Sequence, residues 1–220
     1  MGMFLNSIEP YDKYKTITKG LYFVDKTELL EELIPALEQE QRFFCITRPR
    51  RFGKTVMANM IASFFEKSEG GSDIFDRLKI SEYPKYKEHL NKHDVVYIDF
   101  SEMPKECDSY KKYISRIEEG IYYDLREKYS DLYLKQEDAI WDIFSKIFNE
   151  TKKKFIFVMD EWDAVFHMSF MTEKNREDYL LFLKLLLKGQ SYVELAYMTG
   201  VLPICLLYTS PSPRDGLLSR

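Results

Sequence analysis

Four short apolar runs alternate along the chain with longer stretches in which apolar residues recur every three or four positions. The apolar runs are residues 42–47, 94–100, 154–160 and 193–199. Each has the length of a strand, and the intervening stretches have the period of amphipathic helices. This alternation predicts an α/β fold of three layers, in which a mostly parallel sheet is covered by helices on both faces.

The helical stretches and the weakly patterned segments suggest where the domain begins. Helices are predicted over residues 28–39, 54–66, 105–129, 138–148 and 175–188. Thr27 is a plausible N-cap for the first of them, since its hydroxyl can accept a free backbone N–H. Residues 1–20 are polar and rich in tyrosine with little periodicity, so we interpret them as an N-terminal extension. The domain is predicted to span residues 21–204.

The last residues of the chain break the alternating pattern. Cys205–Arg220 has neither a helical nor a strand period and carries proline and serine where a helix is expected. This segment resembles a translated transposase-type sequencing adapter. We interpret it as a non-native tail on a domain truncated near Ile204, and exclude it from the fold prediction. A disordered native tail is the alternative.

Composition and charge argue against several functional classes. The net charge of −4 gives no basic footprint for nucleic acid over the whole chain, although a local basic patch remains compatible with binding. No apolar run approaches the roughly 18 residues of a membrane helix. The first residues lack an export signal, and the three cysteines have neither metal-site nor CxxC spacing. We therefore expect a cytoplasmic protein without a membrane partner.

The segment Arg48–Thr55 reads Arg-Pro-Arg-Arg-Phe-Gly-Lys-Thr and connects a predicted strand to a predicted helix. This context suits a phosphate-binding loop, because the helix N-terminus offers unpaired N–H groups to an anion. In such a loop Lys54 reaches the β- and γ-phosphates of a nucleotide, and the Thr55 hydroxyl binds Mg²⁺. The predicted nucleotide-binding residues are Arg48, Pro49, Arg50, Arg51, Phe52, Gly53, Lys54, Thr55 and Val56. The usual pattern has glycine where this chain has Arg48, so an ordinary basic loop is the alternative.

The third apolar run ends in two acidic residues, Asp160 and Glu161. Ligands of open α/β sheets bind at the carboxyl ends of the strands, where this pair and the loop both fall. We expect Asp160 to hold Mg²⁺ opposite Thr55 and Glu161 to polarise an attacking water. Considered alone, the pair is equally compatible with a buried strand followed by a solvated turn.

A complete strand, Asp94–Phe100, lies between these two motifs in the sequence. An additional strand between the loop strand and the acidic strand marks the branch of P-loop proteins that includes AAA-type and STAND-type ATPases. In that branch a polar residue on the next strand senses the γ-phosphate. Thr199 fits this role, and a strand-end threonine before Gly200 without a role in catalysis is the alternative.

Five segments together resemble the AAA-ATPase-like family. They are Tyr22–Thr27, Thr47–Thr55, Val96–Ser101, Phe157–Asp163 and Thr199–Pro203. Arginine at the position of Arg48 is part of that family's loop, so the departure from the general pattern supports the resemblance. The resemblance covers about residues 8–204 and concerns prokaryotic proteins whose ATPase domain is often followed by a PD-(D/E)xK-type nuclease domain.

The resemblance implies binding of ATP with Mg²⁺, and hydrolysis that involves Glu161, Lys54 and Thr199. It also implies a nuclease-like C-terminal domain as a partner in the full-length protein. A homo-oligomer is a further expectation, and nucleic acid as a partner stays open. The alternative to an ATPase is a nucleotide-gated switch or scaffold, in which ATP binding moves a fused effector with little turnover. Nuclease activity would require the further domain.

Other polar residues near these motifs have two interpretations each. In related ATPases the region of Asp25, Lys26 and Thr27 borders the adenine base, and a helix cap with solvated charges is the alternative. Asp99 is placed to join the network around the attacking water, or it is a plain strand-end carboxylate. Asp163, with its neighbour Trp162, either shapes the site or caps the following helix.

Overall fold

The computed structural model describes residues 2–39, 41–67 and 74–203, and every structural statement below refers to these residues. Its α-helices are α1 (Glu9–Thr18), α2 (Leu29–Ala36), α3 (Lys54–Phe65), α4 (Tyr86–His89), α5 (Tyr110–Lys128), α6 (Ile140–Thr151) and α7 (Glu173–Leu187). Its strands are β1 (Phe43–Thr47), β2 (Asp94–Asp99), β3 (Phe155–Asp160) and β4 (Val193–Gly200). All four predicted strands are present, each within one residue of its expected ends.

The four strands form one parallel sheet in the order β1-β4-β3-β2. Because all strands run the same way, their carboxyl ends meet at one edge, where Thr47 pairs with Gly200 and Asp99 with Asp160. In the sheet, β4 lies between β1, which precedes the loop Arg48–Thr55, and β3, which ends in the acidic pair. The strand that separates them in the sequence, β2, lies at the far edge of the sheet.

Helices cover both faces of the sheet and create two hydrophobic cores. On β3, Ile156 and Val158 point into a core shared with α2 and α3. The alternate residues Phe155, Phe157 and Met159 point into a core shared with α5, α6 and α7. This period of two on a strand buried on both faces produces the three-layer α/β architecture, and the predicted fold class is confirmed.

Residues near the N-terminus cover the outer edge of β2. The Tyr97 N–H donates to the Phe4 carbonyl at 2.8 Å, and the Asn6 N–H donates to the Val95 carbonyl at 2.8 Å. The Asp124 carboxylate on α5 accepts the backbone N–H groups of residues 3–5 at 2.7–3.0 Å. These bonds pair an edge that would otherwise expose unsatisfied backbone groups.

The predicted extension over residues 1–20 contains a helix that the hydropathy pattern did not indicate. Helix α1 packs on α3 and buries Pro10, Tyr11 and Tyr14. Tyrosine is amphipathic, so a helix face made of tyrosines gives a weak apolar period even when it is buried. The interpretation of residues 1–20 as an extension did not include this helix, and its residues pack against α3.

Several helix ends differ from their predicted positions for local reasons. Helix α5 begins at Tyr110 and not at residue 105, since Glu106 has φ of +59° and Ser109 is extended. Helix α2 ends one residue after Pro35. None of the helices in the described ranges has the length and apolar character needed to cross a membrane. The predicted tail, residues 205–220, lies outside the described residues.

Candidate nucleotide-binding site

The loop between β1 and α3 is shaped by backbone conformations that its sequence permits. Gly53 precedes α3 with φ of +78°, a left-handed conformation that glycine adopts without a steric penalty. Arg51 also has a positive φ of +70°. The Arg48 N–H donates to the Gly200 carbonyl at 3.2 Å, so the loop is joined to the end of β4. The predicted loop therefore lies at the carboxyl edge of the sheet.

Lys54 is the buried cation of this loop. Its side chain is held inside the loop, where Nζ donates to the carbonyl of Arg48 at 2.9 Å and to that of Pro49 at 3.2 Å. The rest of the loop faces solvent, and its exposed residues are Arg48, Pro49, Arg50, Arg51 and Phe52. The loop thus presents positive charge at the N-terminus of α3, where the helix dipole is also positive.

Asp160 ends β3 as a fully buried carboxylate. The Thr199 hydroxyl on β4 donates a hydrogen bond to its Oδ1 atom. Its Oδ2 atom is buried and has no hydrogen-bond partner among the described residues. Burial raises the pKa of Asp160, whereas Thr199 and the nearby Thr55 hydroxyl act in the opposite direction. One oxygen of the carboxylate is therefore paired and the other has no partner among the described residues, although most buried polar atoms in proteins have one.

Glu161 follows Asp160 in a left-handed conformation with φ of +47°, which is uncommon for a residue other than glycine. Its N–H donates to the Thr199 hydroxyl oxygen at 3.2 Å, and this contact fixes the backbone at the strand end. Burial raises the pKa of the Glu161 carboxyl, and the charges of Asp160 and Asp99 raise it further, against the opposing charge of Lys54. Glu161 is thus a partly buried acid beside the loop lysine.

Asp163 connects the acidic motif to the segment that follows β4. Its side chain is only 4% exposed, and Oδ2 accepts the N–H groups of Val201 at 2.9 Å and Leu202 at 2.7 Å. It does not cap the short helical turn that follows it. The neighbouring Trp162 N–H donates to the Thr199 carbonyl at 2.9 Å. Of the two interpretations of Asp163 and Trp162, the structure favours shaping of the site over helix capping.

Asp25 and Thr27 form hydrogen bonds with each other and with the segment at residues 79–80. Asp25 accepts the N–H and hydroxyl of Thr27, and it also accepts the Lys79 N–H at 2.7 Å. The Thr27 hydroxyl accepts the Ile80 N–H at 3.1 Å, and Thr27 is fully buried. Glu28 is the residue at the N-cap of α2, without a side-chain cap. The predicted Thr27 cap was therefore wrong, because its hydroxyl serves a more distant turn.

Sequence reasoning missed one group of residues next to the loop. Tyr14 and Ile17 of α1 line a pocket with Gly53 and Val56, and with Lys26 from the segment before α2. The spacing of three residues from Tyr11 to Tyr14 to Ile17 was a helical signal that a hydropathy scale undervalues. Asp99 accepts hydrogen bonds from the N–H and hydroxyl of Ser101, and its negative charge raises the pKa values of Asp160 and Glu161.

Three strand ends thus bring a lysine-bearing loop, a half-satisfied carboxylate and a threonine together at the carboxyl edge of a parallel sheet. This parallel α/β fold is that of the P-loop NTPase class. The sequence model of the AAA-ATPase-like family, described as a predicted AAA-ATPase, matches residues 8–207, and the chain belongs to this family. The family implies nucleotide binding. A comparison with curated proteins finds no match.

Proposed function

We propose that this chain binds ATP with Mg²⁺ and hydrolyses it to ADP and phosphate. The observation that carries the proposal is the buried Asp160 carboxylate, whose Oδ2 atom has no partner among the described residues. A buried carboxylate oxygen is unfavourable unless a hydrogen-bond donor or a cation completes its surroundings. A cation bound together with a nucleotide would complete them at the edge of the sheet where ligands of this fold class bind.

The oxygen atoms near Asp160 fit magnesium. Mg²⁺ prefers oxygen ligands and is often held by one or two protein groups together with water and phosphate oxygens. The Thr55 hydroxyl and the Asp160 carboxylate supply protein oxygens of that kind. No cluster of three or more His, Cys, Asp or Glu side chains within the described ranges is arranged to hold a metal ion. When bound, the ion supplies positive charge that offsets the charge of the phosphates.

The loop supplies the phosphate contacts in this proposal. The N–H groups at the start of α3 and the positive end of its dipole attract phosphate oxygens. Lys54 lies at this helix start as a buried cation, and its ammonium group is within reach of the loop carbonyls. Exposed Arg48, Arg50 and Arg51 add positive charge at the mouth of the site. Together these groups favour a triphosphate over a less charged ligand.

Glu161 is the proposed general base. It takes a proton from a water whose oxygen attacks the γ-phosphorus, while the bond from that phosphorus to the bridging β–γ oxygen breaks and ADP leaves. Thr199 is the proposed γ-phosphate sensor, since its hydroxyl contacts both the Asp160 carboxylate and the Glu161 N–H. A γ-phosphate bound at Thr199 would therefore be linked through the Thr199 hydroxyl to both Asp160 and Glu161.

We further propose that hydrolysis drives an effector domain in a longer protein, with a PD-(D/E)xK-type nuclease as the expected kind. The hydrogen bonds that Asp163 accepts from the N–H groups of Val201 and Leu202 support this coupling, because they join the acidic motif to the segment through which the chain leaves β4. Self-association and a cytoplasmic location are expectations that accompany this proposal.

Nucleotide binding and turnover should be compared in the wild type, Lys54→Ala and Glu161→Gln. We expect Lys54→Ala to lose both, because it removes the cation of the loop. We expect Glu161→Gln to retain ATP binding and to lose about 100-fold or more in turnover, as loss of a general base does. Glu173→Gln at the exposed start of α7 is the matched control, and it should leave both quantities unchanged.

The same measurements decide between an ATPase and a nucleotide-gated switch. Phosphate release by the wild type at the level of Lys54→Ala, with ATP binding intact, would reject the ATPase and support the switch. Equal turnover in Glu161→Gln and Glu173→Gln would remove Glu161 from the mechanism. Absence of ATP binding in the wild type would reject both functions.

A further inference from the structure

A small pocket lies between the phosphate-binding loop and the carboxyl ends of β3 and β4. The loop contributes Arg50 and Lys54, Glu161 and Asp163 follow β3, and Gly200 ends β4. The pocket has a volume of about 20 Å³. A polar cavity needs roughly 10–15 Å³ to hold one water molecule, so this pocket has room for one oxygen-sized group of a ligand whose other atoms lie outside it.

The position of the pocket indicates which ligand group it suits. The proposed function assigns Lys54 to the phosphates and Glu161 to the attacking water, and both residues line the pocket. A group held between them lies where the terminal phosphate meets that water. The pocket therefore suits an oxygen atom of the γ-phosphate.

Two carboxylates face the pocket, and they disfavour an anionic oxygen there unless cations oppose them. Asp163 already accepts two backbone N–H groups of the segment after β4, which offset part of its charge. Burial raises the pKa of the Glu161 carboxyl, and the positive charges of Lys54 and Arg50 partly oppose this rise. These two cations are thus close enough to Glu161 to offset its charge as well.

The two cations differ in how far the fold already uses them. The Lys54 ammonium donates hydrogen bonds to the loop carbonyls of Arg48 and Pro49. Arg50 is exposed and forms no salt bridge among the described residues. Its guanidinium is therefore available to a ligand. Arginine stays charged in proteins, and its planar fork of N–H donors matches two phosphate oxygens.

We propose that Arg50 contacts the γ-phosphate of the nucleotide bound by its own chain and stabilises the charge of the transition state, so that hydrolysis needs no arginine from a second copy. The proposal rests on the proposed function and adds a catalytic residue to the same site. ADP has no γ-phosphate, so the contact forms with ATP alone. Arg50 therefore also makes the site prefer ATP over ADP.

Arg51 is the matched comparison within the loop. It is exposed and carries the same charge as Arg50, but it does not line the pocket. The substitutions Arg50→Gln and Arg51→Gln each remove one positive charge from the loop and keep a long polar side chain. A difference between the two variants therefore reports a contact of Arg50 and not the overall charge of the loop.

The affinities of both variants for a triphosphate and for ADP would be measured by calorimetry in Mg²⁺ buffer. Adenylyl imidodiphosphate, in which an NH group replaces the β–γ bridging oxygen, would serve as a triphosphate that is not hydrolysed. Arg50→Gln should lose about tenfold more affinity for this analogue than for ADP, as expected for one charge-assisted hydrogen bond. Arg51→Gln should weaken both ligands equally.

Turnover at saturating ATP should fall about 100-fold or more in Arg50→Gln, as loss of an arginine on the transferred phosphate does. Arg77→Gln, at an exposed arginine outside the loop, is the control and should keep the turnover of the wild type. All three variants should keep the thermal unfolding temperature of the nucleotide-free wild type, because the three side chains are exposed.

A mixture of Arg50→Gln and Glu161→Gln tests whether Arg50 acts within its own chain. If Arg50 served the site of a second copy, some sites in the mixture would contain both residues and would regain turnover. We expect the mixture to show only the summed turnover of its two components. Regained turnover would overturn the assignment of Arg50 to its own chain.

The binding measurements separate failure of this proposal from failure of the proposed function. If Arg50→Gln and Arg51→Gln lose the same affinity for the analogue relative to ADP, the γ-phosphate contact of Arg50 is overturned and the proposed function is not. A wild type that binds neither the analogue nor ADP would overturn both.

Discussion

Two buried aspartates at opposite ends of neighbouring strands differ in how completely their carboxylate oxygens are hydrogen-bonded. Asp94, at the amino end of β2, accepts hydrogen bonds from Asn6 at 3.0 Å, Lys67 at 3.1 Å and Tyr129 at 3.3 Å, and from Lys128. Asp160, at the carboxyl end of β3, accepts one from a threonine, and its other oxygen has no partner among the described residues. The two carboxylates are nearly equally shielded from solvent.

The pKa values of the two carboxyls are shifted in opposite directions, down for Asp94 and up for Asp160. Burial alone would raise the pKa of Asp94, but the hydrogen bonds and positive charge of Lys128, with help from Asn6, lower it overall. Burial raises the pKa of Asp160, and the hydroxyls of Thr199 and Thr55 oppose this only in part. Asp94 is therefore satisfied within the fold, whereas Asp160 is the carboxylate to which we assign the proposed ligand contact.

The largest expected effect is that of Asp160→Asn on turnover. If Asp160 holds the nucleotide's magnesium, the variant should hydrolyse ATP about 100-fold more slowly or worse, because the charge that binds the ion is lost. Turnover would be measured at saturating Mg²⁺ and ATP. Asp94→Asn is the matched control, and below its unfolding temperature its turnover should stay within about threefold of the wild type. Similar losses of turnover in both variants would contradict the assignment of Asp160 to the ligand and of Asp94 to the fold.

The next largest effect is that of Asp94→Asn on stability. We expect the free energy of unfolding to fall by about 2 kcal/mol in urea titrations at pH 7. This is less than the roughly 3–5 kcal/mol of a fully buried pair, because the side chains of Lys67 and Lys128 remain 39% and 30% exposed. A change under about 0.5 kcal/mol, as surface substitutions give, would show that the network does not stabilise the fold.

Glu66 follows α3 and lies near the amino end of β2, the end at which Asp94 lies. Its carboxyl allows a test of how stability depends on pH. Burial raises its pKa from 4.5 to about 8, although the charge of nearby Lys128 lowers it. Because the folded pKa lies above the unfolded one, its contribution to stability is full below pH 4.5 and is lost as the pH rises to about 8. Glu66→Gln should therefore match the wild type at low pH and become increasingly more stable than it as the pH rises to about 8.

Urea titrations at several pH values between 4 and 9 would measure this difference. Glu173→Gln, on an exposed glutamate, should give a curve parallel to that of the wild type. A parallel curve for Glu66→Gln as well would mean that the pKa of the Glu66 carboxyl is the same in the folded and unfolded protein.

The smallest expected effect is that of Asp160→Asn on stability without Mg²⁺. Removal of a buried, incompletely paired charge should leave the free energy of unfolding unchanged or raise it by up to about 1 kcal/mol. Addition of Mg²⁺ and ATP should stabilise the wild type and not the variant. A loss as large as that of Asp94→Asn would place Asp160 among the residues that hold the fold together.

Much of the fold could be predicted because its signals are local. Each strand is a run of consecutive apolar residues, and the turn at Gly53 and the start of α3 are encoded in the three residues Gly-Lys-Thr. Helix α1 escaped prediction because Tyr11 and Tyr14 form its buried face. The Thr27 cap was predicted wrongly because its partner, the Ile80 N–H, lies 53 residues away.

Local sequence is sufficient to predict the alternation of strands and helices, the Gly-Lys-Thr loop and the acidic pair, since each depends on residues adjacent in the chain. The position of β4 between β1 and β3, which brings Thr199 to Asp160 across 39 residues, follows from the strand order of the folded sheet. The tertiary structure also decided that Asp94 is surrounded by donors and Asp160 is not. The reason is physical: a carboxylate is satisfied or left half satisfied by groups that strand order and helix packing bring to it from distant parts of the chain.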